Sequence, residues 1–462
     1  MDLDEKLIKD RLSIEDDYFN PNPYFEKSSN IKDNYEIYKL CFFMGFTSFG
    51  GSPSNMLLFN EVFIKKNKFM SESQFNQLVA LCFTIPGPSV IELLAAIITI
   101  RTQSALGGLL SIVLWNGPMV VVMIVVAELV EGPYSEALWS NQSINFLLQT
   151  ISIGLKQGTL AIITRAVFII FIQLSTNKFQ VFLALVCAVT LCIFRTTLTI
   201  FVLMLICGLI NLKEEINEEE ELKVNKEVKF KSLMSLESKD SEDSFIEETN
   251  DIVKDIDFLG MPAFVTFVLG YLIIYALKLF ILPEGNKLIL LAQINYYIGF
   301  VSMEGTTLPL ALSSFENIIP EKIIVNSVVL SEVLPAAKFN LFAYIGTYYN
   351  GWIGGAVSAF CIFISGLLIL FSTLKFMSYI NNNENLKKIL HGVSVSVKGF
   401  QLSAALLLWY YTCYTNTHYN VVFGTLNVLL CVYITNKLDI NIIFSLIISC
   451  VYSIVLSYII YY

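Results

Sequence analysis

The sequence predicts an all-α, polytopic membrane protein made of two homologous helical halves. Three observations carry that prediction. First, 55% of the 462 residues are hydrophobic and only 15% are charged, with mean hydropathy +0.64. Soluble domains are about 25% charged, and a soluble core of this length could not hide so much apolar surface, whereas lipid can. Second, long apolar runs recur at Gly107–Ala127, Phe179–Phe194, Phe201–Leu212, Phe258–Leu282, Trp352–Leu374 and Ile440–Ile460. Several reach the ~20 residues that span ~30 Å of hydrocarbon as a helix. No alternating barrel pattern is present, so helices must satisfy the backbone in lipid. Third, short motifs of the first half return in the second half in the same order.

In chain order, residues 1–34 form a polar N-terminal tail of mixed charge, with no apolar segment before Tyr35. It does not read as a signal peptide, so the first spanning segment is expected to direct insertion. Residues 35–212 form the first membrane domain. Residues 213–257 hold 16 acidic residues against 7 lysines, which equals the whole net charge of −9. This segment reads as a solvated, disordered linker, with Ser238, Ser241 and Ser244 as polar filler or phosphorylation sites. The acidic balance is therefore a linker property and says nothing about a ligand. Residues 258–462 form the second membrane domain. The first half is expected to hold about 5–6 spanning or re-entrant segments and the second about 6–7, about 10–13 in all. An odd number per half makes the repeats inverted, with a site near the midplane between them.

The repeat rests on four ordered pairs. Gly45-Phe46-Thr47-Ser48-Phe49-Gly50-Gly51 pairs with Gly299-Phe300-Val301-Ser302-Met303-Glu304-Gly305. Leu81-Cys82-Phe83-Thr84-Ile85-Pro86-Gly87-Pro88 pairs with Leu330-Ser331-Glu332-Val333-Leu334-Pro335-Ala336-Ala337. Gly107-Gly108 pairs with Gly354-Gly355, and, more weakly, Gly154-Leu155-Lys156 with Gly392-Val393-Ser394.

Glycine and proline inside apolar sequence are the informative residues. Gly50-Gly51-Ser52-Pro53 and Pro86-Gly87-Pro88-Ser89 let the backbone leave helical geometry and start new helices. Broken helices at membrane depth are tolerated where backbone faces protein or a water-filled cavity. The freed helix N-termini offer N–H groups and positive dipole ends that suit an anion. Packing kinks would explain one such cluster; two clusters repeated in both halves point to a binding site.

Gly50-Gly51-Ser52-Pro53, the Leu81–Pro88 stretch and Gly107-Gly108 together resemble the chromate ion transporter family. The second half resembles that family's other domain, most closely over Leu334–Gly346, with Gly392–Val397 also fitting. The resemblance covers both membrane halves and neither the tail nor the linker. It implies a two-domain carrier of chromate or sulfate-like dianions. The sequence departs from the family pattern at Met303-Glu304, at Pro335-Ala336-Ala337 followed by Lys338, and at Glu92, where the family often carries Gln. These departures bear on the substrate more than on the fold.

The expected site draws on both halves. Gly50, Gly51, Ser52, Pro86, Gly87, Pro88 and Ser89 form the first half-site; Ser302, Gly305, Thr306, Pro335, Lys338 and Asn340 form the second. Arg101 and Lys156 are expected to add positive field, Arg101 at a position where the family also tends to place Arg. The alternatives are that Arg101 snorkels to headgroups and that Lys156, like Lys398, makes a structural pair. Glu304 and Lys338 are expected to compensate one another, since a charge at membrane depth is costly unless paired or hydrated. Glu92 and Glu304 are the candidates for coupling transport to protons, against the plainer reading of solvated carboxylates. Asn116 either lines a cavity or bonds a neighbouring helix.

Other chemistry finds little support. Nine cysteines lie in apolar stretches without CxxC spacing, and there are two histidines, His391 and His418. No metal or cofactor is expected. No basic stripe suggests nucleic acid, and no GxxxxGK[ST], HExxH or GxSxG motif suggests ATP hydrolysis or catalysis. The expected partners are a small inorganic anion and the lipid bilayer; a homodimer is compatible with the sequence. The reading is a secondary carrier of a divalent oxyanion working by alternating access, in the plasma membrane or an organelle membrane. Its rivals are an anion channel, a carrier of another anion or organic acid, a membrane-embedded enzyme and a non-transporting scaffold.

Overall fold

In the computed structural model the first half runs α1 (Tyr35–Thr47), α2 (Gly51–Phe59, continued by a π turn over Asn60–Lys66), α3 (Glu72–Thr84), α4 (Ser89–Thr102), α5 (Ala105–Glu131), α6 (Gln142–Leu174), α7 (Lys178–Ile193) and α8 (Thr197–Asn211). After α9 (Gly260–Ala276) the second half follows the same plan: α10 (Lys287–Val301), α11 (Thr307–Ser314), α12 (Glu321–Val333), α13 (Leu341–Thr373), α14 (Glu384–Trp409), α15 (Val421–Lys437) and α16 (Ile442–Tyr461). The structure describes residues 34–132, 140, 142–174, 177–212, 260–277, 286–374, 383–415, 421–437 and 442–461. The tail before Asn34, the acidic segment with Ser238, Ser241 and Ser244, and His418 lie outside the described residues. All regular elements among the described residues are helical.

The helices around the Gly/Pro motifs are short. α1, α3 and α12 have 13 residues, α4 has 14 and α10 has 15, all below the ~20 of a full crossing. Each ends or begins at a break: 48–50, 85–88, 302–306 and 334–337. α13 contains another. Asn350 and Gly351 leave helical geometry, with Gly351 at φ +64, and the chain doubles back, so that Gly355 sits against Ala343 and Thr347. α13 is therefore two arms that match α4 and α5. The first-half turn is Gln103, at φ +51, followed by Ser104, whose hydroxyl caps α5.

Small residues set the packing, as expected where lipid removes the hydrophobic drive between helices. Gly45 of α1 lies on the backbone of Trp115 in α5, and its repeat partner Gly299 of α10 lies on the backbone of Ile362 in α13. Gly108 packs on Thr99 and Ala95 just as Gly355 packs on Thr347 and Ala343.

The halves exchange their last two helices. α7 and α8 pack on α14 of the second half, and α15 and α16 pack on α6 of the first. Gly392 and Gly399 of α14 meet the backbones of Cys207 and Ala184; Gly154 of α6 meets the backbone of Cys450. On the α6 side the seam is also polar. Asn427 Nδ2 donates to Gln157 Oε1 at 2.6 Å and to Ser449 Oγ at 3.0 Å, and Ser449 Oγ donates to the Gly154 carbonyl at 2.7 Å. The outward faces carry Phe182, Leu198, Met261, Leu272, Tyr433 and Ile459, all exposed, as lipid contact requires.

This seam makes a first prediction. A Cβ on Gly154 would lie 2.6 Å from the Cα of Cys450, whereas one on Gly117 meets nothing within 4 Å. Gly154→Val is expected to destabilise by about 1–3 kcal/mol through overpacking, and Gly117→Ala to be neutral or slightly stabilising through helix propensity. Thermal unfolding in detergent reads both; equal midpoints for the two variants would contradict so close a seam.

Candidate functional site

The four breaks cross each other in the middle of the molecule. Gly87 N–H, in the second break of the first half, donates to the Ser302 carbonyl, in the first break of the second half, at 2.6 Å. The repeat-related bond runs the other way: Ala336 N–H donates to the Ser48 carbonyl at 3.1 Å. Each half thus closes the other's break. Gly50, Gly51, Gly87 and Gly305 all hold positive φ, and Ala336 does so at +73 without being glycine. That costs of order 1–2 kcal/mol and is held by the Ser48 bond and by Asn55, whose Nδ2 donates to the Ala336 carbonyl.

Six helices that start away from the crossing carry a side-chain cap, although α1 at Asn34 and α12 at Pro320 do not. α3, α5, α7, α8, α10 and α14 begin at a capping side chain: Ser71, Ser104, Asn177, Thr196, Asn286 and Asn383. α2, α4, α11 and α13, which begin at the breaks, have no side-chain cap. No N-cap side chain accepts from their first-turn N–H groups, as at helix ends that receive anions.

Charge is concentrated at one point of this crossing. Lys338 Nζ lies 3.0 Å from Glu332 Oε1 and 3.7 Å from Glu304 Oε1. Ser52 of the first half donates to Glu304 Oε2 at 2.9 Å. The side chains of Glu332 and Glu304 are only 8% and 10% exposed, and that of Lys338 is 23% exposed. Glycine at 51 makes the room: a Cβ there would lie 2.8 Å from Lys338 Cε. The remaining space is a small cavity of about 10 Å³ bordered by Ser52, Asn55, Pro88, Glu304, Ala337 and Lys338. It holds about one water, so the crossing is closed in this state by its own side chains.

The other expected site residues distribute as follows. Pro88, Ser89 and Pro335 lie at the breaks, with Ser89 buried. Thr306 is buried, and its hydroxyl accepts from Met303 N–H and donates to the Met303 carbonyl, fastening the 302–306 turn. Gly305 packs against the backbone of Gln401 in α14. Asn340 is taken up by Asn116 of α5: their amides exchange hydrogen bonds at 2.7 and 3.0 Å, and Asn116 Oδ1 also accepts from Ala337 N–H. Asn116 thus bonds a neighbouring helix. Glu92 is fully buried, neither oxygen has a hydrogen-bond partner among the described residues, and its carboxyl fills the place where a Gly87 Cβ would stand.

Two expected residues are not brought to the crossing. Arg101 follows Ser89 by twelve positions on α4, about 18 Å along the helix, and its guanidinium lies over the Phe69 ring at 5.2 Å. Lys156, half-buried on α6, has Lys322 and Glu131 as charged neighbours. Glu131 accepts from Tyr344 Oη at 3.2 Å and Asn326 Nδ2 at 3.4 Å. Those two residues stand six positions from Lys338 and Glu332, about 9 Å along their helices. Among the described residues no three His, Cys, Asp or Glu side chains gather as a metal site.

Sequence reasoning missed Glu332 and Asn55. The signal for Glu332 lay in the repeat itself. Glu304, Glu332 and Lys338 stand where the first half has Gly50, Phe83 and Ser89. Three charges replacing three uncharged counterparts, all at or within two residues of a break, mark one cluster.

A family model described as "Chromate transporter" matches residues 35–212 and again residues 289–454. An uncharacterized transporter of Methanocaldococcus jannaschii is 22% identical over 370 residues, covering 79% of this chain and 81% of that protein. No solved structure matches. With two copies of the family model covering well over half the sequence, one on each side of a shared crossing, this multi-pass integral membrane protein belongs to the chromate transporter family.

Proposed function

We propose that the chain is a secondary carrier of a small divalent oxyanion, chromate or a sulfate-like ion, and that it works by alternating access around the crossing. The observation that supports this best is the convergence of four side-chain-uncapped helix starts, from both halves, on the one cluster that holds Lys338. Backbone N–H groups and an ammonium together suit an oxyanion. The closed crossing corresponds to an occluded state, and inverted halves that rock against each other would open it to either side in turn.

The test is uptake of labelled sulfate and chromate into proteoliposomes. Saturable uptake with counterflow is expected. Flux that rises without saturation would replace the carrier by a channel. The two carboxylates beside Lys338 favour a second reading, a carrier of another anion such as an organic acid; saturable uptake of such an acid, with none of sulfate or chromate, would select it.

A further inference from the structure

We propose that Glu304 and Glu332 are built-in competitors of the substrate for Lys338, and that the carrier takes up two protons with each dianion. This rests on the anion-carrier reading above.

The geometry is that of an occupied anion site. Glu332 Oε1 and Glu304 Oε1 approach Lys338 Nζ at 3.0 and 3.7 Å, and the other Glu304 oxygen, Oε2, accepts from the Ser52 hydroxyl. An oxyanion would present its oxygens to the same ammonium and the same hydroxyl. The cavity beside them has room for about one water, so a tetrahedral dianion enters only if the carboxylates withdraw.

Charge decides how they withdraw. The charged groups acting on Lys338 are Glu332 and Glu304. Two carboxylates and one ammonium leave the empty site one negative charge. A dianion added to that would bring it to three, in a setting where unmatched charge is costly. If each carboxylate takes one proton from solution and becomes a carboxylic acid, the loaded site holds one ammonium, two neutral acids and the dianion. Its net charge is again minus one. Each acid can then donate a hydrogen bond to the substrate it competed with. The cargo, two protons and a dianion, is electroneutral.

The surrounding elements add few other titratable groups. α2 contributes Gly51 and Ser52, and α5 contributes the neutral Asn116. On α14 the neutral Gln401 covers Gly305, with Lys398 one turn earlier. Glu92 on α4 lies beyond Pro88, against Gly87 and Gly366.

The experiment is labelled sulfate uptake into proteoliposomes at several external pH values, with the membrane potential set by potassium and valinomycin, for the intact chain and for Glu332→Gln. For the unaltered protein, uptake is expected to rise more than tenfold per unit of acidification, towards the roughly hundredfold limit of a two-proton linkage, and to ignore the potential. Glu332→Gln removes one competitor and one proton, so its acid dependence should be shallower and its uptake should become sensitive to potential. Glu304→Gln should behave in the same way, which guards against a folding defect in either variant. Saturable uptake that is flat in pH, or variants that stay electroneutral, would overturn the coupling and leave the carrier standing. Absence of saturable uptake of sulfate, chromate and organic acids at every pH, from folded protein, would overturn the carrier reading and the coupling with it.

Discussion

Lys338→Met is expected to lower stability by about 3 kcal/mol, the low end for removing one partner of a buried ion pair, and to abolish anion uptake. The variant leaves Glu304 and Glu332 facing the same point without their shared cation. The low end applies because the lysine side chain keeps 23% of its surface exposed. Adding Glu332→Gln to Lys338→Met should recover much of the stability, since it removes one of the two stranded charges, but none of the transport. Thermal unfolding in detergent, run as a double-mutant cycle, separates the two effects. Additive losses in stability would mean that the lysine and the glutamate do not act on each other.

Gly51→Leu carries the second large effect. A leucine must take the left-handed φ of +75, and its Cβ would stand 2.8 Å from Lys338 Cε. The backbone strain is of order 1–2 kcal/mol, and the collision pushes the lysine away from Glu332. Uptake is expected to fall by more than tenfold, a transition-state cost above about 1.4 kcal/mol, in protein that still elutes as a single folded species. Retained uptake would remove the first break from the transport site.

Much of this architecture was legible because glycine and proline leave strong marks inside apolar sequence. All four ordered motif pairs became contacts in repeat-related places: Gly45 with Trp115 and Gly299 with Ile362, Gly108 with Thr99 and Gly355 with Thr347, Gly154 with Cys450 and Gly392 with Cys207, and the Pro86 and Pro335 motifs at crossed breaks. The turn at Asn350-Gly351 escaped notice because apolar residues flank it on both sides; only the Asn-Gly pair betrays it. α9 has no counterpart among the described residues of the first half; the apolar run Phe258–Leu282 announced the helix, but no repeated motif did.

The site was legible in part. The pairing of Glu304 with Lys338 followed from two charges in two repeated motifs. The nearer partner, Glu332, was lost because it sits 28 residues from Glu304 within a motif noted for its proline. Arg101 was grouped with the breaks by charge and by the family resemblance, Lys156 by charge and its place in the Gly154 motif, and helix length placed them elsewhere: Arg101 lies at the opposite end of α4 from its break, and Lys156 lies beside Glu131. Asn340 reads as a free polar group until Asn116, 224 residues away, is found bonded to it.

The exchanged helices set a timetable for biogenesis. Gln157 and Gly154 on α6 meet their partners Asn427 and Ser449 only on α15 and α16. At ~5–20 residues per second, the ribosome needs about 15–60 s after finishing α6 before the last of these partners exists. Through that interval α6 presents a polar amide and a bare glycine seam to whatever surrounds it. The first half therefore waits, inserted but unfinished, for the far end of its own chain, and a chain released before α16 would keep the α7–α8 clasp on α14 but leave α6 without Ser449 and Cys450.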